Sequence, residues 1–356
     1  MSLEHAHHSH LWPGVPLALG SAVLFGASTP LSKVLLGVVD PWLLASVLYL
    51  GAGIGLALVN RGRRLIGLAN PEAPLRRADI PWLVAVVGFG GVVGPLLLMF
   101  GLSQTSAASG SLLLNLESLA TMGIAWVVFR ENVDRRLLGG AAVILAGAVL
   151  LSWQGEAARL DTGGLLIAGA CLAWGIDNNL TRKLSAADPV QVAMIKGLAA
   201  GTTNLVLALM LGASMPSGLT LAAGALVGFL GIGISLVMFM LGLRHLGTAR
   251  TGAYFSLAPF IGAVISLVLF REGLSIQVAV AGALMAIGLW LHLAERHEHD
   301  HVHEAIDHEH AHFHDAHHQH SHDGPATEPH SHWHRHEPMR HGHPHYPDLH
   351  HRHRHG

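Results

Sequence analysis

The chain has 356 residues, of which 51% are hydrophobic and only 12% are Asp, Glu, Lys or Arg. That charged fraction is about half of what a soluble domain carries. From Glu295 onward the chain holds eleven acids, five arginines and 23 of the 29 histidines, so the remaining body lacks the charged surface that a soluble fold needs. The single cysteine, Cys171, excludes an intramolecular disulfide and a cysteine-based zinc cluster.

Ten apolar segments are long enough to cross a bilayer, which requires about 20 helical residues. These predicted spans lie at 15–36, 41–59, 80–101, 107–129, 136–153, 163–184, 190–211, 219–243, 248–270 and 275–294. No cleavable signal peptide is expected, because the first dozen residues are polar and the apolar segment after them is as long as a full span.

The basic residues of the connectors predict how the spans are oriented. The connectors after spans two, four, six and eight carry twelve Lys or Arg residues, whereas the others carry only Arg159 and Arg271. Because basic residues are in excess on the cytoplasmic side, both termini are predicted to be cytoplasmic in a multi-pass protein of the bacterial inner membrane. An even number of spans agrees with this orientation, because it places both termini on the same side of the membrane.

The two halves of the apolar body repeat. Residues 88–101 align with 229–242 at a constant offset of 141, and Asp40-Pro41 matches Asp188-Pro189 at the start of the second helix of each half. An odd number of spans per half means that the halves insert with opposite orientations. Inverted repeats are typical of secondary transporters, whose substrate site lies near the midplane where the repeats meet.

The segments 105–110, 113–117 and 129–131, with a second copy from 257–259 to 270–272, resemble the EamA repeat of the drug/metabolite transporter (DMT) superfamily. The resemblance covers residues 14 to 294. It implies an all-α polytopic membrane protein without enzymatic activity, built from ten transmembrane helices as two inverted five-helix repeats. That superfamily exports amino acids, metabolites, drugs and sometimes metals, so the resemblance leaves the substrate open.

The predicted organisation has five parts. They are a His-rich cytoplasmic N-terminus (1–13), a first repeat (14–153), an extracytoplasmic linker (154–162), a second repeat (163–294) and a disordered His-rich cytoplasmic tail (295–356). The tail is too polar to span a membrane or to build a core.

Histidines in the tail recur at a spacing of two residues, and in an extended chain such residues point to the same side. Neighbouring imidazoles can then bind one cation, with nickel, cobalt, zinc and copper as suitable metals. The candidate metal ligands are His297, His299, His301, His303, His308, His310, His312, His314, His317, His318, His320, His322, His330, His332, His334 and His336. A DMT-type body with such a tail is similar to nickel and cobalt efflux members of the superfamily. The alternative is a solvated tail without a metal function.

Polar residues inside the predicted spans are the candidates for a transport site, because ionisable groups in a membrane are costly. Glu117 and Asp177 are expected to act as oxygen ligands or proton acceptors, unless Glu117 forms a structural ion pair with Lys33 or Lys196. His245, at the predicted cytoplasmic end of span eight, is a candidate for relaying metal from the tail. The full set of span candidates is Glu117, Asp177, Asn115, Asn178, Asn179, Ser28, Thr29, Lys33 and Lys196.

Three functions are compatible with this pattern. The leading hypothesis is export of divalent transition metals, nickel or cobalt first, by proton antiport with alternating access. The second is an EamA-type exporter of amino acids or other metabolites whose tail buffers metal or regulates transport. The third is a membrane-anchored metal reservoir or sensor. No cofactor is required beyond the metal itself; the expected partners are the lipid bilayer and metal ions, a homodimer is left open, and no nucleic acid is expected.

Overall fold

The computed structural model of the chain describes residues 13–67, 75–129, 135–153, 161–184, 187–271, 273–293 and four short strands in the tail. Thirteen α-helices lie within these residues, and all of them belong to the apolar body. In chain order they are α1 (Gly14–Leu35), α2 (Pro41–Leu65), α3 (Ile80–Val86), α4 (Gly94–Gln104), α5 (Ala107–Leu113), α6 (Leu116–Phe129), α7 (Arg135–Ser152), α8 (Thr162–Thr181), α9 (Pro189–Met210), α10 (Gly218–Gly228), α11 (Ser235–Phe255), α12 (Ala258–Leu269) and α13 (Ile276–Leu293).

Helices occupy all ten predicted spans, but only eight of the helical stretches are long and apolar enough to cross a membrane by length and composition. The helix α8 is not among the eight; its last turns carry Asp177, Asn178 and Asn179, which lower its hydropathy. The apolar part of α13, Ile276–Leu291, is shorter than the other spans. The described residues therefore establish a multi-pass helical membrane protein with eight clear spans, and the other two of the predicted ten stay predictions.

The connector that the sequence predicted between spans eight and nine is not a loop, because α11 continues through residues 244–250. The equivalent position in the first half is interrupted between α4 and α5. There the hydroxyl of Ser106 accepts a hydrogen bond from the backbone N–H of Ser109 and caps α5. The second half has Gly247 at the matching position, and glycine offers no side-chain acceptor that could start a new helix.

The helices α2 and α9 begin in the same way, as the sequence repeat predicts. Asp40 and Asp188 each accept a hydrogen bond at 2.9 Å from the backbone N–H two residues later, and a proline occupies the first helical position. Both helices end two residues before a glycine with positive φ, Gly67 at 72° and Gly212 at 80°. Glycine is favoured at these positions because a Cβ is disfavoured in the left-handed conformation.

The same two helices pack against each other with nearly two-fold symmetry. A Cβ at Gly53 would meet Gly197 and Leu198, and a Cβ at Gly201 would meet the equivalent Leu50. Glycine on both helices therefore allows their backbones to approach closely. This contact indicates a pseudo-two-fold axis between α2 and α9.

The helices α7 and α13 form a second contact across that axis. A Cβ at Gly147 would lie 2.9 Å from the carbonyl oxygen of Ala281, and a Cβ at Gly288 would lie 2.6 Å from that of Gly140. All four residues are related by the offset of 141, so each glycine contacts the repeat equivalent of the residue that the other one contacts. The sequence repeat is therefore also a structural repeat.

The first helix of each half packs mainly in the other half. The helix α1 lies against α11 and α12, whereas α8 lies against α4 and α6. We call the first group the α1 bundle and the second group the α8 bundle. Because each bundle combines helices of both halves, the space between them lies where the two repeats meet.

Irregular helical segments recur at equivalent positions in the two halves. The π-helical segments Val87–Val93 and Phe229–Ile234 interrupt the third and eighth spans. Turns at Leu114–Asn115 and Ser256–Leu257 separate α5 from α6 and α11 from α12. Broken helices at the repeat interface are the positions at which transporters of this architecture bind their substrates.

Four short strands lie in the tail: β1 (Glu298–Val302), β2 (Ile306–His312), β3 (His330–His336) and β4 (Arg340–Pro344). They pair as β1 with β4 and β2 with β3, both antiparallel. These strands cover only part of the tail, and its predicted disorder stays a prediction. The alternation of histidine with other residues, which suggested metal binding, also has the period of a strand.

Candidate functional site

One face of α8 carries the polar residues that sequence analysis singled out. Trp174, Asp177, Asn178 and Thr181 follow one another at spacings of three, one and three residues, so they lie on the same side of the helix. This face is directed at the rest of the α8 bundle and at the start of α9. Asp177 is only 5% exposed, whereas Asn178 is exposed.

Glu117 lies in the first turn of α6, directly after the break at Leu114–Asn115. Its carboxylate oxygen Oε1 accepts a hydrogen bond of 2.9 Å from the side-chain amide of Asn178, and the same amide lies 3.2 Å from the hydroxyl of Thr121. The Asn179 amide donates to the Thr121 carbonyl at 3.0 Å, so α6 and α8 are joined by two neighbouring asparagines. The amide oxygen of Asn179 is buried and has no hydrogen-bond partner among the residues that the structure describes.

Asp177 is held by a different set of groups. Its Oδ2 lies 2.5 Å from Nζ of Lys196 on α9, and its Oδ1 accepts a hydrogen bond of 3.3 Å from Thr181. Both side chains of the ion pair are largely buried, with 7% of Asp177 and 12% of Lys196 exposed. Lys196 therefore pairs with Asp177, while Glu117 has no cationic partner within ion-pair distance among the described residues.

The first π-helical segment contributes backbone groups to the same region. The carbonyl of Gly90 accepts hydrogen bonds from the hydroxyl of Tyr49 at 2.7 Å and from the indole N–H of Trp174 at 3.0 Å. The position next to its Cα, which a Cβ would take in any other residue, is occupied by the carboxylate of Asp177. Glycine at position 90 is therefore needed for the carboxylate to reach Lys196.

The three charged residues of this cluster, Glu117, Asp177 and Lys196, lie on one side of the pseudo-two-fold axis. At the equivalent place on the other side, Ser28 packs against Gly231 as Asp177 packs against Gly90. The other equivalents of the charged residues are uncharged as well. The equivalent pairs are Asp177 with Ser28, Lys196 with Leu48, and Glu117 with Ala258.

The remaining predicted residues are not part of this cluster. The Asn115 amide donates to the Leu112 carbonyl and lies 3.8 Å from the sulfur of Met285. Lys33, on α1, donates to the carbonyl of Leu102 on α4, whereas Glu117 lies on α6. Ser28 donates to the carbonyl of Phe25, and Thr29 is buried in α1.

His245 is exposed on α11, beside the start of α1 at Gly14. Nine of the predicted tail ligands lie in strands: His299 and His301 in β1, His308, His310 and His312 in β2, and His330, His332, His334 and His336 in β3. The others, His297, His303, His314, His317, His318, His320 and His322, lie outside the described residues.

Sequence reasoning missed four members of the site: Tyr49, Gly90, Thr121 and Trp174. The glycine-rich run around Gly90 is a signal in the sequence, since it recurs around Gly231 at the offset of 141. Trp174 had a signal as well, because it lies one turn before Asp177 and Asn178. Tyr49 and Thr121 carried no signal in a single sequence.

A preformed metal centre is absent from the described residues, in which no three His, Cys, Asp or Glu side chains come together. An inverted helical repeat with broken helices and a buried polar cluster at the repeat interface defines a multi-pass membrane transporter. The model of the EamA-like transporter family matches residues 12–153 and 161–294, and the chain belongs to this family.

Two relatives have the same general description. The chain is 28% identical over 302 residues to an uncharacterized transporter of Methanothermobacter thermautotrophicus, covering 81% of this chain and 88% of the relative. It is 23% identical over 255 residues to the uncharacterized transporter YyaM of Bacillus subtilis, covering 68% and 81%. A solved crystal structure with 20% identity shares the fold, with a TM-score of 0.57 over 78% of this chain and 95% of that one.

Proposed function

We propose that this EamA-family protein exports a small metabolite bearing one cationic amino group, in exchange for a proton, by alternating access. The observation that carries the proposal is the state of Glu117. Its carboxylate is held by the neutral side chain of Asn178 and has no cationic partner among the described residues, whereas Asp177 beside it is already paired with Lys196. The site therefore has one uncompensated negative charge.

A single carboxylate in a membrane interior binds one positive charge at a time, because an uncompensated charge is costly there. A proton and an ammonium group would compete for Glu117. This competition couples the two fluxes, because Glu117 carries the proton when the site moves in one direction across the membrane and the amine when it moves back. The proposal is supported by the position of Glu117 directly after a helix break, since broken helices at the repeat interface bind substrates in transporters built from inverted repeats.

The geometry supports an organic amine better than a transition metal. A metal site in a protein uses several convergent nitrogen, sulfur or oxygen ligands. Glu117 lacks such partners in the described body, and Asp177 cannot join it without leaving Lys196. An ammonium group needs fewer contacts, and Glu117 with the neighbouring Thr121 hydroxyl offers oxygen acceptors for its N–H donors.

The proposal is tested in proteoliposomes that contain a pH-sensitive dye and carry a proton gradient. We expect butylamine to cause faster proton movement with the wild-type protein than in protein-free liposomes, where neutral butylamine crosses the bilayer unaided, and Glu117→Gln to give only the protein-free rate. Asp79→Asn is the matched control, because it makes the same carboxylate-to-amide change in the short helical turn Arg77–Asp79 that precedes α3. Equal proton movement in Glu117→Gln and wild type would overturn the proposal, as would no amine response in the wild type.

Nickel or cobalt export remains the second candidate, and one observation favours it. The strand register of the tail places histidine opposite histidine at five positions, for example His308 opposite His334 and His299 opposite His343. Adding Ni²⁺ or Co²⁺ to the same liposomes tests this candidate with the full chain and with a chain ending near Arg296. Metal-driven proton movement that depends on Glu117 would favour metal export over amine export.

A further inference from the structure

Lys196 is the cationic side chain at the candidate site. Its ammonium group lies 2.5 Å from Asp177, and the exposed fractions of the two side chains are 12% and 7%. Such a buried pair is close to neutral as a unit, because each charge cancels most of the field of the other at this distance. Asp177 is further fixed by Thr181 and by its contact with Gly90, so the pair has one defined arrangement.

The pair is a direct neighbour of Glu117. Asn178, which holds the Glu117 carboxylate, follows Asp177 in the chain. Among the described residues, Asp177 and Lys196 are charged groups close enough to act electrostatically on Glu117. Tyr49 and Cys171 also face this region, and neither side chain ordinarily carries a charge at neutral pH. Two carboxylates and one ammonium group therefore leave the described site with a net charge of one negative unit.

We infer that Lys196 is a specificity-determining residue, which neutralises Asp177 and thereby limits the site to substrates with a single positive charge. This inference rests on the proposed exchange at Glu117. A dication would leave the occupied site with an excess positive charge in a medium of low dielectric constant, which is unfavourable. Without Lys196, two carboxylates would be free, and the same site would accept two positive charges, either as two protons or as one dication.

The internal repeat supplies the substitution that tests this. Leu48 occupies the position equivalent to Lys196, and it is 3% exposed in a helix that packs like α9. The equivalent position therefore accepts an apolar side chain. Methionine is apolar, unbranched and similar in length to lysine, so Lys196→Met is the variant of choice. The double variant Asp177→Asn/Lys196→Met removes both charges and restores one uncompensated carboxylate.

The charge count predicts a different substrate for each variant. Wild type has one negative unit and transports butylamine. Lys196→Met has two and transports 1,4-diaminobutane. Asp177→Asn leaves Lys196 to compensate Glu117, so it transports neither amine. The double variant has one negative unit again and transports butylamine, as the wild type does.

The experiment measures uptake of the two amines and the protons moved per amine, in proteoliposomes with equal amounts of each protein. We expect Lys196→Met to raise diamine transport by about tenfold or more relative to monoamine transport, with two protons moved per diamine. We expect the double variant to recover monoamine transport that Asp177→Asn has lost. A merely structural ion pair would also give this recovery, because Asp177→Asn leaves a buried ammonium group without its partner, whereas the double variant removes both charges. The changed substrate preference and proton count of Lys196→Met are the readouts that a structural role would not produce.

The inference is overturned if Lys196→Met keeps the wild-type preference and proton count, or if the double variant is as inactive as Asp177→Asn. In either case Glu117-dependent butylamine transport by the wild type would still support the proposed function. If Lys196→Met does not fold, Lys196→Gln, which also removes the ammonium group, takes its place under the same criteria. If the wild type moves neither amine, the proposed function fails and this inference fails with it.

Discussion

The rings of Phe25 and Trp174 meet edge to face, with their centroids 6.5 Å apart and their planes at 70°. The two residues occupy equivalent positions in the two opening helices, α1 and α8, and each belongs to a different bundle. Their contact therefore lies where the two bundles approach each other. It is the aromatic link between the bundles in the described residues, since the other ring pairs near Phe25 involve α11 of its own bundle.

The first prediction concerns the glycine beneath Asp177. Gly90→Val is expected to displace the Asp177 carboxylate from Lys196, because the new side chain would occupy the same space. Overpacking of this kind costs about 1–3 kcal/mol, and transport should be lost as well. Gly88→Val is the control, since nothing lies near its Cβ position. Thermal unfolding in detergent and amine transport are the measurements; equal effects of the two substitutions would contradict the prediction.

The second prediction concerns the contact between α7 and α13. Gly147→Val and Gly288→Val are expected to destabilise the protein by similar amounts, because each new side chain would meet the backbone of the other helix at an equivalent place. About 1–3 kcal/mol is expected for each substitution. Gly139→Val, on the open side of α7, should cost less than either. A large difference between Gly147→Val and Gly288→Val would argue against the pseudo-symmetric contact.

The third prediction concerns the carbonyl of Gly90. Tyr49→Phe and Trp174→Phe each remove one of its two hydrogen bonds and should each cost about 0.5–1.5 kcal/mol for the lost bond. The double variant should cost more than the sum, because the carbonyl is then left without either donor. A double-mutant cycle measured by thermal unfolding checks this, since the lost indole volume of Trp174 cancels in the coupling term. A coupling of zero would show that the two bonds are independent.

The fourth prediction concerns orientation. In a background with Cys171→Ala, a cysteine at Ile66 should be protected from a membrane-impermeant maleimide in intact cells, and a cysteine at Met215 should react. Ile66 directly follows α2 and Met215 lies in the connector between α9 and α10, and they are 73% and 57% exposed. The positive-inside pattern places them on opposite sides of the membrane. Labelling of Ile66→Cys but not of Met215→Cys would mean that the protein has the reverse orientation.

Much of the fold could be predicted because its determinants are local. The helix starts at Asp40-Pro41 and Asp188-Pro189 are encoded in adjacent residues, and the offset of 141 carries over from sequence to structure. The predicted loop between spans eight and nine failed because Gly247 lacks the capping side chain of Ser106. In the tail, a spacing of two residues is a property of strands as well as of chelating histidines, so metal binding and disorder there stay predictions.

The partners of the site residues could not be predicted in the same way. The residue types of Glu117, Asp177 and Asn178 made them candidates, because polar groups in apolar helices are rare. The sequence left Glu117 with Lys33 or Lys196 as an ion partner, whereas Lys196 pairs with Asp177 and Lys33 donates to a backbone carbonyl. Helix packing decides these pairings. The π-helical segments also escaped detection, because one additional residue in a turn does not change an apolar pattern.

The one-sided placement of Glu117, Asp177 and Lys196 has an energetic consequence for the transport cycle. In an inverted repeat with identical halves, the inward-open and outward-open states would be related by a two-fold rotation and would have equal free energies. Here the halves differ at Ala258, Ser28 and Leu48, so rocking places the charges in a different environment in each state. The proposed alternating-access cycle therefore predicts that the empty carrier prefers one of the two states and that binding of a cation at Glu117 changes that preference.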